Sequence, residues 1–361
     1  TPPKSAPGDG CALVAALGRP ITVADAEALL GALAAGADFS RCVGEAARYL
    51  AVAVAGIPGA GALLKGRLRS MIYELEALGL HAEALSLAAA GAWSGSPGLL
   101  ALVTPRTVSE AVLYAETSLD IALYALDEEF RFDLYDFAMG AALDACRIGR
   151  GACRYAKASL LPRLAALLAF SGELGLAELH LESALAALEE LKPADVLELR
   201  GYLDLRYPIG WGGDAAEKIV EYVAFSALSR AASVYRHESP ERAYAYAEEL
   251  YRRFGGTPLG PVARFHRARL AYAYRRASLE ELAAEVGEVF EELAARSFAG
   301  VSPAFASQVI ALRILTLVAL GRGEEAAGLY RAYARALRPA TRYAVASYLA
   351  LFGLAEVGEE D

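Results

Sequence analysis

Apolar residues recur at intervals of three and four along most of this chain, and this spacing constrains its fold more than any other feature. In the segment 321–339 a glycine turn leads into such a run and a proline ends it; the apolar face consists of Ala326, Leu329, Tyr330, Tyr333 and Leu337. Few segments show the period of two that a half-buried strand needs. The sequence therefore predicts an all-α protein with about sixteen helices and no sheet.

Short turns separate most of the predicted helices, so we expect sequential neighbours to run antiparallel. This arrangement predicts an α-α superhelix, that is, a solenoid of antiparallel helical hairpins. Pro208, Gly210, Gly212 and Gly213 interrupt the helical pattern within the segment 201–213. The predicted parts are a disordered tail at 1–10, an N-terminal helical repeat region at 11–200, an irregular insertion loop at 201–213, and a C-terminal helical repeat region at 214–361.

One local pattern recurs along the chain: a turn followed by an alanine-rich amphipathic helix. It occurs in the segments 79–90, 172–188, 239–250 and 321–339. This pattern resembles the second helix of a tetratricopeptide-type hairpin. Equivalent positions at Ala243, Leu282 and Ala326 are 39 and 44 residues apart, against about 34 in a tetratricopeptide unit, so the resemblance is to a degenerate repeat. It implies a non-catalytic scaffold that binds a protein or peptide partner.

The sequence lacks the motifs that mark common catalytic and metal sites. There is no HExxH, no CxxC, and no phosphate-binding glycine loop after a recognisable strand, and the four histidines are scattered. We therefore expect no catalytic residues, no metal and no cofactor. An all-helical enzyme whose site has no recognisable motif stays an alternative.

Charge is distributed unevenly along the chain. The formal net charge of −9 argues against a general nucleic-acid binder, yet the segment 235–276 holds nine arginines and four glutamates. In the helix predicted over 259–275, a period of 100° per residue places Arg264, Arg267 and Arg275 on one side. The remaining members of the predicted basic surface are Arg269, Tyr272 and Arg276, which flank that side, and Arg252 and Arg253, which end the preceding helix.

Arginines next to tyrosines suit a carboxylate or phosphate ligand, so the basic surface predicts an acidic peptide or protein as the partner. Two alternatives stay open: a nucleic-acid partner, and a solvated helix face in a chain that is rich in arginine throughout. Trp211 lies in the glycine-rich segment 206–214. It is predicted either to close over a ligand or to pack into the core as part of a long turn.

No segment is apolar and unbroken over the roughly 20 residues of a membrane-spanning helix, which makes the cytoplasm the default expectation. Asparagine is absent, glutamine occurs once, and only five of the 35 basic residues are lysines. Loss of thermolabile amides is typical of thermophile proteins. The bias toward arginine also fits GC-rich coding.

The four cysteines allow two disulfides. A continuous helix would hold the Cα atoms of Cys146 and Cys153 about 10 Å apart, too far for a bridge. A chain reversal at Gly149 and Gly151 would bring the two sulfurs together. The sequence thus leaves open a Cys146–Cys153 bridge, with a less supported Cys11–Cys42 bridge, or four small buried hydrophobic residues.

Overall fold

The computed structural model describes residues 8–57, 59–124, 132–210, 212–236, 239–298, 301 and 303–354. Within these residues the chain is all-helical and contains no strand, which confirms the predicted fold class. Asp9 and Asp38 form an isolated bridge. Sixteen of the helices have seven or more residues, in agreement with the number that the apolar spacing predicts.

The α-helices, in chain order, are α1 Gly10–Ala16, α2 Val23–Ala35, α3 Val43–Gly56, α4 Ala60–Leu63, α5 Lys65–Ala77, α6 His81–Trp93, α7 Val108–Tyr124, α8 Phe132–Ile148, α9 Arg150–Phe170 and α10 Leu174–Glu190. They continue with α11 Pro193–Leu197, α12 Tyr202–Arg206, α13 Ala215–Val234, α14 Pro240–Phe254, α15 Gly260–Ala273, α16 Leu279–Ala294, α17 Pro303–Ala319, α18 Gly323–Tyr333 and α19 Pro339–Leu351. Three short 3₁₀ helices lie at Ser40–Cys42, Pro97–Leu102 and Ala334–Ala336. No helix in the described part of the chain is both long and apolar enough to cross a membrane.

Contacts between residues divide the chain into two compact units. Unit 1 comprises Thr1–Ile121, Arg131–Leu164 and Ser183–Ala224, and unit 2 comprises Ala122–Phe130, Ala165–Glu182 and Phe225–Asp361. The repeat identity of the helical hairpins and their arrangement as a solenoid stay predictions.

The core of unit 1 is centred on α6, which packs against α3 and α5. Leucines from successive helices are fully buried there, among them Leu50, Leu75 and Leu85. Helix α4 approaches α6 so closely that a Cβ at Gly61 would lie 2.2 Å from the carbonyl oxygen of Gly91. The Gly61 amide donates to the Ser94 hydroxyl at 2.8 Å, which satisfies a buried donor at this contact.

In unit 2 each helix from α14 to α17 packs on the helix that follows it. Short connections of this kind produce sequential hairpins. Aromatic rings meet edge to face between these helices, as in Phe265 with Phe305 and Phe290 with Tyr333. Such pairs add specific geometry to the area that they bury.

Helix ends follow the sequence signals in most places. Ser278 begins α16 with a capping box: its hydroxyl accepts from the Glu281 amide at 3.1 Å, and the Glu281 carboxylate accepts from the Ser278 amide at 2.7 Å. Pro240 occupies the first turn of α14, where its missing N–H costs nothing. The preceding residue, Ser239, makes no side-chain cap, contrary to what its position suggests.

Two predicted irregular segments contain helix. Tyr202–Arg206 forms α12 inside the segment 201–213, because Tyr202, Leu203 and Leu205 are buried and anchor one turn ahead of Pro208. Asp9 accepts from the Cys11 and Ala12 amides and begins α1, so the predicted tail 1–10 ends in an ordered cap. Residues 1–7 lie outside the described residues.

Candidate functional site

The predicted basic surface lies in unit 2, and its arginines differ in what they contact. Arg264 faces the glutamates of α16. Its guanidinium lies 3.9 Å from Glu285 and 3.6 Å from Glu288, and it also forms a hydrogen-bonded ion pair with Glu292. Three carboxylates satisfy this arginine. Arg264 therefore serves to join α15 to α16, and it does not share a free basic face with Arg267 and Arg275.

Arg252 and Arg253, at the end of α14, are exposed. Arg252 forms an ion pair with Glu249 at 2.6 Å, three residues earlier on the same helix, and Arg253 lies 5.3 Å from the ring of Phe254. Exposed pairs of this type contribute little to stability. The contacts given for Arg252 and Arg253 are thus with residues of α14 itself, and neither arginine contacts another member of the basic surface in them.

Two arginine–tyrosine stacks lie where the antiparallel helices α14 and α15 pack together. Arg267 lies 3.5 Å above the ring of Tyr251, and near the other end Arg276 lies 4.4 Å above the ring of Tyr244. Stacking on an aromatic face holds a guanidinium in place without neutralising its charge. Within the described residues, neither arginine has a carboxylate within 4.0 Å.

An open cleft of about 600 Å³ lies where α15 ends and α16 begins. We call it the arginine cleft; its lining residues are Tyr272, Ala273, Arg275, Arg276, Ala277, Ser278 and Glu281. Tyr272, Arg275 and Arg276 are exposed. The capping box with Ser278 already engages the Glu281 carboxylate, and neither arginine of the cleft has a carboxylate within 4.0 Å among the described residues.

Arg275 adopts a left-handed backbone conformation with a φ of +57°. It closes α15 with two reverse hydrogen bonds, from its own amide to the Tyr272 carbonyl and from the Arg276 amide to the Ala271 carbonyl. Other helices of this chain end with the same pair of bonds and have glycine at the left-handed position, namely Gly36, Gly79, Gly172, Gly321 and Gly353. A side chain in this conformation costs about 1–2 kcal/mol relative to the right-handed one, so the arginine occupies a position that favours glycine.

Arg269 is not among the residues that line the arginine cleft. Its guanidinium carbon lies 5.7 Å from the ring of Phe265, one turn back along α15. The neighbouring His266 is buried. Sequence reasoning assigned Arg269 to the flank of the basic surface, but the structure places it beside a buried histidine.

Trp211 lies outside the described residues, so its predicted alternatives stay open. The cysteines are paired in the structure: the sulfur atoms of Cys146 and Cys153 are 2.03 Å apart, and those of Cys11 and Cys42 are 2.16 Å apart. Helix α8 ends at Ile148 and α9 begins at Arg150. The Cys146–Cys153 bridge therefore joins the end of α8 to the start of α9.

Unit 1 contains a buried charged cluster that the sequence analysis missed. Glu116 of α7 is 2 % exposed and accepts from the hydroxyls of Tyr155 at 2.9 Å, Ser159 at 2.5 Å and Tyr202 at 2.6 Å. Arg163 is 2 % exposed, and its Nε atom donates to Asp120 at 3.0 Å. The signal was present in the sequence: acidic residues in α7, and an arginine in α9, interrupt otherwise apolar helix faces.

The electrostatics of this cluster follow from burial. Burial, with the negative charge of Glu116, raises the pKa of both the Tyr155 and the Tyr202 phenols, so both stay protonated as donors. Although burial acts to lower it, Asp120 and Glu116 hold the pKa of Arg163 above its usual value. The carboxylate of Glu116 already has three donors, and a satisfied network of this kind fixes packing more readily than it binds a ligand.

No group of three or more histidine, cysteine, aspartate or glutamate side chains in the described parts of the chain is arranged to hold a metal ion. No protein-family model matches the chain, and no curated protein sequence is significantly similar to it.

Proposed function

We propose that this protein is a non-catalytic interaction scaffold, built of tetratricopeptide-like helical hairpins, that binds an acidic segment of a protein or peptide partner in the arginine cleft. The observation that carries the proposal is Arg275. Five other described helices have glycine at this position and one has Ser297. A residue with a Cβ atom costs stability there, and such strain is typical of residues retained for function.

The charges around the cleft support an acidic ligand. The described residues offer the guanidinium groups of Arg275 and Arg276 no carboxylate within 4.0 Å. Arg276 is held over Tyr244, which reduces the side-chain entropy that it loses when a carboxylate binds. Guanidinium groups donate in pairs to carboxylates, and this geometry adds specificity to attraction.

The open form of the cleft supports a chain segment as the ligand. A small-molecule site is usually concave and mostly apolar, whereas the arginine cleft is open and its lining combines charged and polar side chains with two alanines. Exposed Tyr272 offers an aromatic face next to the two arginines. Aromatic and arginine side chains are enriched among the residues that dominate protein interfaces.

A binding measurement with a matched charge control tests the proposal. Fluorescence anisotropy would follow a labelled peptide of alternating glutamate and aspartate as wild-type protein or a double variant is added. We expect R275E/R276E to weaken binding at least about tenfold, a loss of about 1.4 kcal/mol. The control R252E/R253E makes the same change in net charge outside the cleft, and we expect it to bind within about threefold of wild type, because screening weakens exposed charges at a distance.

Two results would overturn the proposal. Equal weakening in both double variants would mean that the peptide senses net charge and not the cleft. Single-stranded or duplex DNA that binds more tightly than the peptide, with a steep salt dependence that R275E/R276E reduces, would favour the nucleic-acid alternative.

A further inference from the structure

A second cluster of basic side chains lies on a different side of α15, between α15 and the C-terminal part of α13. His266 is 5 % exposed, and its Nε2 atom lies 2.9 Å from the hydroxyl oxygen of Ser229. Arg269 follows one turn later on α15, and the charges of Arg269 and Arg236 both act on the imidazole. We call Ser229, Arg236, His266 and Arg269 the His266 cluster.

Two polar atoms of this cluster are buried without a hydrogen-bond partner in the described structure: His266 Nδ1 and Arg269 Nε. A buried polar group left in this state costs stability. The two residues are three positions apart on one helix, where side chains are neighbours. The Arg269 side chain also runs back toward the preceding turn, as its position near the Phe265 ring indicates.

The cluster contains one cation, Arg269, that has no counter-anion among the described residues. Within the described residues no carboxylate lies within 4.0 Å of Arg269, and burial together with the nearby Arg236 lowers the pKa of its guanidinium to about 10. Burial, Arg269 and Arg236 lower the pKa of His266 to about 3, so the imidazole is neutral near pH 7. An arginine buried for structure alone normally has an acidic partner, as Arg163 has Asp120.

Both unpartnered atoms of the cluster can act as hydrogen-bond donors. If the Ser229 hydroxyl donates to Nε2, the neutral imidazole carries its proton on Nδ1, which is the nitrogen without a partner. The Nδ1–H and Nε–H groups are then two donors beside a positive charge. A water molecule would satisfy one of them but would leave the charge of Arg269 uncompensated.

We propose that the His266 cluster is a binding site for a small oxyanion of the phosphate or sulfate class, held by Arg269 and by His266 Nδ1–H, with Ser229 fixing the imidazole tautomer. One such anion satisfies both buried donors and screens Arg269 from Arg236. Arg269 keeps partial exposure, which gives the anion a path from solvent. The site stands apart from the arginine cleft and does not depend on the proposed function.

Thermal unfolding of the full chain at increasing inorganic phosphate tests the site, with sodium chloride adjusted to keep the ionic strength constant. We expect a saturable rise in Tm for the wild-type protein, because a ligand that binds the folded state stabilises it by mass action. We expect R269M to lose this rise and R267M, which removes a neighbouring arginine stacked on Tyr251, to keep it. Sulfate should reproduce the effect, and acetate at the same ionic strength should give at most a small part of it.

R269M removes a buried charge that has no partner, so we expect it to fold at least as well as wild type in phosphate-free buffer. Phosphate titrations by calorimetry give a second measure: R269M should weaken the apparent Kd at least about tenfold, a loss of about 1.4 kcal/mol, and H266Q should weaken it less. A Tm rise that does not saturate, or that is equal in wild type and R269M, would show a general salt effect and overturn the site.

The two proposals fail separately. R275E/R276E should keep the phosphate response and lose the acidic peptide, and R269M should do the reverse. Loss of both ligands in both variants would mean that one continuous basic surface binds anions without a defined site, which would overturn the oxyanion site.

Discussion

Tyr202 donates its phenolic proton to Glu116 across 2.6 Å, and neither side chain is more than 2 % exposed. The contact joins α12 to α7 through two residues that are 86 positions apart in sequence. A hydrogen bond from a neutral donor to a buried carboxylate is stronger than one between neutral groups. This pair therefore fixes how the segment around α12 packs against the rest of unit 1.

Replacing Tyr202 by phenylalanine should destabilise the protein. The Y202F variant keeps the ring and removes one of the three hydroxyl donors of Glu116, so we expect a loss of about 1.5–3 kcal/mol in the free energy of unfolding. Urea denaturation followed by far-UV circular dichroism measures the change.

The matched control is Y343F. Tyr343 is 71 % exposed, so removing its hydroxyl leaves no buried group without a hydrogen-bond partner. We expect a change within about 0.5 kcal/mol. Equal stability of Y202F and wild type would contradict the view that the Glu116 cluster holds unit 1 together.

The helices were predictable from the sequence, and the side-chain chemistry between them was not. Apolar residues at three- and four-residue intervals determine where a helix forms and which face it buries. For this reason α18 forms within the predicted segment 321–339, and Ala326 of its predicted apolar face is buried. The contact of Glu116 with Tyr202 depends on how α7 meets α12, and no local pattern encodes that. Arg264 shows the same limit: its position on a helical wheel is correct, but the glutamates of α16 engage it.

Both disulfides should be present before reduction. Alkylation of the denatured, unreduced protein should modify none of its four cysteines, and intact-mass spectrometry counts the modified thiols. In the chain-entropy model, loops with sequence separations of 7 and 31 stabilise the fold by about 2.5 and about 3.7 kcal/mol. We therefore expect C11A/C42A to lower Tm more than C146A/C153A. Four reactive thiols without reductant would contradict both bridges.

Stability should fall in acid in part because of His266. Its pKa is about 3 in the folded protein and 6.5 as the reference value, so between these values the unfolded state binds a proton that the folded state does not. The folded state is therefore favoured above pH 6.5, and this contribution is lost at about 1.4 kcal/mol per pH unit as pH falls toward 3.

The measurement compares wild type with H266Q at pH 7.5 and 5.5 in a buffer free of phosphate and sulfate. Subtracting the change in free energy of unfolding of H266Q from that of wild type removes the contribution that carboxylates make in both proteins. We expect wild type to lose about 1.4 kcal/mol more than H266Q over this range. Adding phosphate should reduce the difference, because a bound oxyanion favours the protonated imidazole next to Arg269 and Arg236. Equal pH dependence of the two proteins would mean that His266 is not buried in its neutral form.

Glycine at position 275 should stabilise the fold and impair binding of the acidic peptide. Arg275 and Ser297 both adopt left-handed conformations, with φ of +57° and +51°, and both close a helix by the same pair of hydrogen bonds. Glycine removes the strain of the side chain but increases the entropy of the unfolded chain, so we expect R275G and S297G each to gain about 0.5–1 kcal/mol in the free energy of unfolding. S297G should bind the labelled acidic peptide as wild type does, whereas R275G should bind it more weakly because the cleft loses one of its two arginines. Loss of stability in both variants would refute the strain argument, and wild-type affinity in R275G would remove Arg275 from the binding site.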